Sequence, residues 1–147
     1  MAPSSCFSER TQSVRWFSWR IQAILYPAVR RLALSIGNRT VQLLGAGGQV
    51  LSRGKLQLKP FVFLYCLALK RKNGVAGISS ASNFADDEAA QAQRLDPEFD
   101  WEYKRFAEYR TRIHDKFDPP LEAFELIVHP KGGRYELSPE IQDVLIQ

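Results

Sequence analysis

Carboxylates are almost missing from the first 85 residues, which hold one, Glu9, while fifteen of the sixteen Asp and Glu follow from Asp86 onward. The same first stretch keeps twelve Lys or Arg, for a formal +11, and residues 86–147 set eight Lys or Arg against fifteen acids, for −7, which together give the chain's +4. A long segment that excludes acids but retains arginines suits a polyanionic neighbour: RNA, anionic lipid or an acidic protein face. The same bias marks organelle-targeting segments.

Cysteine is scarce as well. Cys6 and Cys66 lie sixty residues apart, with no CxxC or CxxH spacing near either. That excludes a disulfide framework and a zinc motif and leaves two reduced thiols as the reading. Histidine is limited to His114 and His129. His114 sits beside Asp115 on a helical position and His129 stands at a strand end before Pro130, so neither has clustered ligands or a spaced acid–base partner, and both read as surface residues. No GxSxG, Walker loop, HExxH or paired-carboxylate pattern occurs, so the chain reads as a non-enzyme with no cofactor. Gly45, Gly47 and Gly48 superficially resemble a dinucleotide fingerprint, but its third small residue is replaced by Val50 and no acidic ribose anchor precedes Asp86. These glycines read as a loop or helix C-cap.

Long apolar runs are absent too, since no uncharged stretch exceeds thirteen residues. The most apolar, Pro60 to Leu69, is ten residues between Lys59 and Lys70, half of the about 20 a spanning helix needs. Val14 to Ile36 is interrupted by Arg15, Arg20, Arg30 and Arg31, and adjacent guanidinium groups do not rest in hydrocarbon. A secretory signal lacks its apolar core. With 147 residues, 45% of them hydrophobic and 12% aromatic, the chain has enough apolar material for a core and is expected to be soluble or peripheral to a membrane.

Thr11 to Ile36 reads as one or two helical stretches, because Ile21, Ile24, Leu25, Ala28, Val29 and Leu32 keep three-and-four spacing, with a break near Pro27. Trp16, Phe17 and Trp19 open it among Arg20, Arg30 and Arg31, a composition suited to a membrane interface or a partner subunit. An amphipathic helix packed on its own domain and a mitochondrial presequence are the other readings. From Arg39 to Lys70 alternation and glycine punctuation make short strands or an irregular path as plausible as helix. Arg53, Lys55, Lys59, Lys70, Arg71 and Lys72 form a candidate phosphate- or lipid-contacting set, against the plainer reading of a solvated helix end. The uncharged stretch after Lys72 reads as a linker, dividing the chain into a basic, apolar region 1–72, a linker 73–85 and an acidic region 86–147.

In the acidic region a short helix is expected around Asp86 to Arg94. A long one is expected from the Asp96-Pro97-Glu98 start to Phe117, with Phe99, Tyr103, Phe106, Ile113 and Phe117 on one face and Trp101 and Tyr109 off it. Aromatics on two sides imply cover by a partner. Two β-like runs flank Pro130 to Gly133, and Ser138-Pro139-Glu140 signals a terminal helical turn ending on Val144, Leu145 and Ile146. The fold expected is therefore α+β, mainly helical. The function expected is a non-catalytic accessory subunit of a mitochondrial inner-membrane complex, respiratory or ATP synthase, contacting other subunits and anionic lipid. A mitochondrial ribosomal protein contacting rRNA through its basic half is the alternative.

Overall fold

A computed structural model describes residues 28–74, 87–99, 102–121, 123–129 and 134–147. In chain order its elements are β1 (Val29–Ser35), β2 (Thr40–Gly45), β3 (Val50–Lys55), α1 (Leu58–Lys72), α2 (Asp87–Leu95) and a single 3-10 turn (Tyr103–Arg105). Then come α3 (Phe106–His114), β4 (Ile127–Val128), β5 (Glu136–Leu137) and β6 (Asp143–Ile146). The protein is α+β with about 34% helix and 30% strand, so the expectation of a mainly helical fold is corrected.

The first correction lies in residues 29–36, read from their spacing as helix. They form β1. Val29 pairs with Gly45 and Arg31 with Leu44, so Arg30 is one extra residue on the strand. A strand normally sends residues three apart to opposite faces, and the bulge returns Val29 and Leu32 to the same buried face. Beyond it Leu32 and Leu34 alternate with Ala33 and Ser35 in the ordinary period of two. The helical spacing was a strand's alternation with a bulge inserted. The rest of the expected helix, with Trp16, Phe17, Trp19 and Arg20, lies outside the described residues.

β2 and β3 continue the sheet through a glycine turn. The Gly45 N–H donates to the Gln49 carbonyl, the Gly48 N–H donates to the Gly45 carbonyl, and Gly48 has φ +86°. That left-handed conformation costs glycine least, which is why the run Gly45-Ala46-Gly47-Gly48 serves as a loop. β1 and β2 pair antiparallel, as do β2 and β3, and β6 returns from the far end of the chain to lie parallel to β1, giving the order β3-β2-β1-β6. Gln57 opens α1 with no side-chain cap, and Lys70, Arg71 and Lys72 occupy its last turn, where the helix dipole favours cations.

The ten-residue apolar run is the middle of α1, and every residue from Pro60 to Ala68 is buried. A helix apolar all round has to be covered all round. Here β5 and β6, α2 and α3 pack on it. Leu32, Leu34, Val41, Leu43 and Val144 of the sheet join Phe61, Phe63, Leu64 and Leu67 of α1 and Phe106, Tyr109 and Ile113 of α3 in one core. Each such side chain contributes about 1.5–3 kcal/mol when fully buried. No helix among the described residues is long and apolar enough to cross a membrane.

Two further expectations are corrected in the acidic region, both at an acid or hydroxyl followed by Pro-Glu. Asp96 accepts from the Glu98 N–H at 3.1 Å and its carbonyl accepts from Phe99, which closes one turn, and the helix begins only at Phe106 and ends at His114. Ser138 does the same: its hydroxyl accepts from the Glu140 N–H at 3.2 Å and its carbonyl from Ile141, after which the chain extends as β6. Short polar side chains close such local turns as readily as they start helices. The step in charge at Asp86 is no step in structure, because β6 from the acidic region completes the sheet of the basic one.

Candidate functional site

The cations singled out from sequence do not share a surface. Arg71 turns inward: its guanidinium donates to the carbonyls of Leu137 at 2.6 Å, Ile141 at 2.8 Å and Ser138 at 3.2 Å, fastening the end of α1 to the C-terminal segment. Lys72 donates to the Val144 carbonyl at 3.3 Å, and Lys70 is 3% exposed. Lys59 binds the Asp96 carboxylate at 2.9 Å, and that hydrogen bond raises its pKa above the usual lysine value. Arg30 lies 3.7 Å from Glu140, and Arg31 stands opposite Asp143 across the strand pair. Of the set of six, Arg53 and Lys55, on the open face of β3, and Lys72, at the end of α1, are exposed.

The aromatic set expected to pack on a partner is answered inside the chain. Phe99, Phe106, Tyr109 and Phe117 are all under 9% exposed. Phe63 of α1 meets the rings of Phe106 at 4.8 Å and Tyr109 at 5.7 Å, and Phe99 stacks obliquely on Tyr109. Tyr103 is partly buried over Phe106 and Tyr135. Trp101 lies outside the described residues. Tyr109 reads as off the stripe on an unbroken 20-residue helix; a separate nine-residue α3 turns it with Phe106 and Ile113 toward the core.

What α3 leaves outside is polar and net basic. Lys104 and Arg105 at its entry, Glu108, Thr111 and Arg112 along it, and Asp115 and Lys116 just past its end are exposed. Arg105 pairs with Glu102 at 2.9 Å and Arg112 with Glu108 at 2.6 Å. Exposed pairs of this kind contribute about 0–1 kcal/mol and exchange readily for another anion. Lys104 and Arg105 also sit at the helix end where the dipole disfavours cations, so local stability does not account for them. Arg105, Arg112 and Lys116 fall at i, i+7 and i+11, the spacing of one helical side, although only Arg112 lies within α3 itself. That signal was present in the sequence but was masked by the acids around it.

β3 and a β-hairpin flank this face. Arg53 and Asp118 exchange backbone hydrogen bonds, and Gly54 approaches so closely that a Cβ there would lie 2.6 Å from the Lys116 carbonyl oxygen. Strand alternation turns Arg53 and Lys55 to the opposite face of β3, alongside Gln42 and Thr40 and away from Lys116. A shallow groove of about 350 Å³ opens between the β3–α1 junction and the end of α3, lined by Leu56, Gln57, Pro60, Arg112, Asp115 and Lys116. The β4–β5 hairpin lies against α3, where Arg110 donates to the Ile127 carbonyl at 2.7 Å and the Ile127 N–H donates to His114 Nε2 at 3.2 Å. His114 is therefore an internal acceptor rather than a surface residue. Burial, reinforced by Arg110, lowers its pKa below the usual histidine value. At the outer end of β4 the exposed His129 ring stacks on Tyr135 at 3.9 Å and meets the Tyr103 hydroxyl at 3.1 Å.

Among the described residues no three His, Cys, Asp or Glu gather as a metal site, and Cys66 is a buried thiol of α1. Comparison with known proteins finds no family model, no curated protein and no solved structure that matches the chain.

Proposed function

We propose that the chain is a non-catalytic binding module that contacts duplex nucleic acid through the exposed face of α3. The observation that carries this reading is the cationic series of Lys104 and Arg105 before, Arg112 on and Lys116 just past a short helix whose other side is locked into the core by Phe106, Tyr109 and Ile113. A rigid helix standing on a helical core, with a hairpin beside it, has the form in which helix-turn-helix proteins offer their second helix to a major groove. The major groove of B-form DNA admits such a helix, whereas that of A-form RNA is too deep and narrow, so the shape favours DNA. Thr111 lies on the same exposed side, its hydroxyl donating to the Ala107 carbonyl at 3.1 Å and left able to accept from a base edge.

Fluorescence anisotropy with a mixed-sequence DNA duplex tests the reading. Four phosphate contacts predict that log K falls with log salt at a slope of roughly −3.6, about a hundredfold loss between 50 and 200 mM. Arg112→Glu and Lys116→Glu should each weaken binding and flatten that slope by about one or more. Arg31→Glu, on β1, should leave it unchanged. Equal weakening by all three, or no binding at low salt, contradicts the reading.

A second reading, the peripheral subunit of a mitochondrial inner-membrane complex, keeps a specific observation in its favour. Val50 is 42% and Leu145 38% exposed on the outer side of the sheet, apolar surface of the kind a neighbouring subunit covers. It is further supported by the Trp16, Phe17, Trp19 and Arg20 cluster. Co-sedimentation with inner membranes that detergent releases and nuclease does not would favour it over the first.

A further inference from the structure

We propose that His114 is a proton-sensitive latch that holds the Ile127 edge of the β4–β5 hairpin on α3 at neutral pH and releases it in acid. The hairpin has two residues in each strand, Ile127–Val128 and Glu136–Leu137, too few to stand alone. Its described hydrogen bonds to α3 run through a single residue, Ile127, while Tyr135 packs on Phe106 and Arg71 holds Leu137 to α1. Ile127 gives its N–H to His114 Nε2 and takes a hydrogen bond on its carbonyl from Arg110 Nε, so both backbone polar groups of one residue are held by side chains one helical turn apart.

The first bond exists only while Nε2 carries no proton. Protonation turns that nitrogen into a donor facing the Ile127 N–H, which leaves two donors opposed and the amide without its acceptor. It also sets a second cation beside Arg110 in a partly buried place. The charged groups facing the ring are Arg110 and Asp115 on its own helix side and Glu125 on the segment leading into β4. Glu125 is held by Arg110 at 3.1 Å, so its carboxylate is shared before the imidazole competes for it. Burial and Arg110 outweigh the two acids, and the folded protein holds the imidazole neutral more firmly than the unfolded chain does. The sign follows: latching is complete above the unfolded value of about 6.5 and is lost as pH falls through the lower folded one. The latch depends on the anchoring of Ile127 alone, whether or not α3 binds DNA.

Amide exchange of the ¹⁵N-labelled full chain tests the latch. The protection factor of the Ile127 amide should fall severalfold, and by no more than about tenfold, between pH 7.5 and 5.5, while core amides of α1 hold theirs. His114→Gln, whose side-chain oxygen accepts at either pH, should remove that dependence, and His129→Gln should keep it. Unchanged protection at Ile127, or a fall that persists in His114→Gln, overturns the proposal. Should that variant fail to fold, the ¹⁵N shifts of the wild-type ring decide: an unprotonated, accepting Nε2 at pH 7.5 is required, and the Nε2–H tautomer overturns it.

Discussion

Arg71 shows how far a residue's role departs from its type. Three adjacent cations at the end of an apolar run read as a patch for phosphate, yet the middle one spends its guanidinium on three carbonyls of the C-terminal segment. No sequence rule announces this, because the acceptors lie 66 to 70 residues away and are backbone atoms. Arg71→Met should cost about 2–4 kcal/mol, since charged hydrogen bonds are lost and part-buried carbonyls are left unpaired. Lys72→Ala should cost under about 1 kcal/mol, because its side chain is exposed. Urea unfolding of both variants checks the contrast, and equal losses would mean that the fork of Arg71 adds nothing. The aromatic residues tell a related story. Their burial was legible as apolarity on a helix face, but that the cover comes from Phe63 and Tyr135 of the same chain follows only from the fold.

Elements were legible where the pattern was regular and lost where one residue broke it. The two strands either side of Pro130 to Gly133 and the short helix from Asp87 carried clear local signals of turn and charge. β1 did not, because the bulge at Arg30 gave strand residues a helical spacing. The two acid-or-hydroxyl, Pro, Glu sequences carried the right capping chemistry, but each closed only one turn. The close approach of β3 to the end of α3 was equally invisible, although Gly54 hints at it. Gly54→Ala should destabilise the fold by about 1–3 kcal/mol, since the new methyl meets the Lys116 carbonyl at 2.6 Å and backbone has to move. Thermal melts test this, with Gly47→Ala in the β2–β3 turn as the comparison. There the near atom is the flexible Gln49 side chain at 3.0 Å, so the loss should be smaller.

At the scale of the whole molecule, the segregation of charge along the chain is folded away. Lys59 meets Asp96, Arg30 meets Glu140, and β6 lies on β1, so the basic and acidic segments neutralise each other inside one unit. Among the described residues the basic face that remains is built from the acidic segment, along α3 and at its two ends. Composition pointed to a polyanion and away from acid–base chemistry, while the surface that would meet it depended on which cations the fold consumes. The most direct test of α3 as that surface is titration of the ¹⁵N-labelled full chain with a DNA duplex, followed by amide chemical shifts. Shifts should concentrate on residues 104–116 and reverse at high salt. Shifts confined to α2 and the β1 and β6 strands, or none at all, would contradict the account.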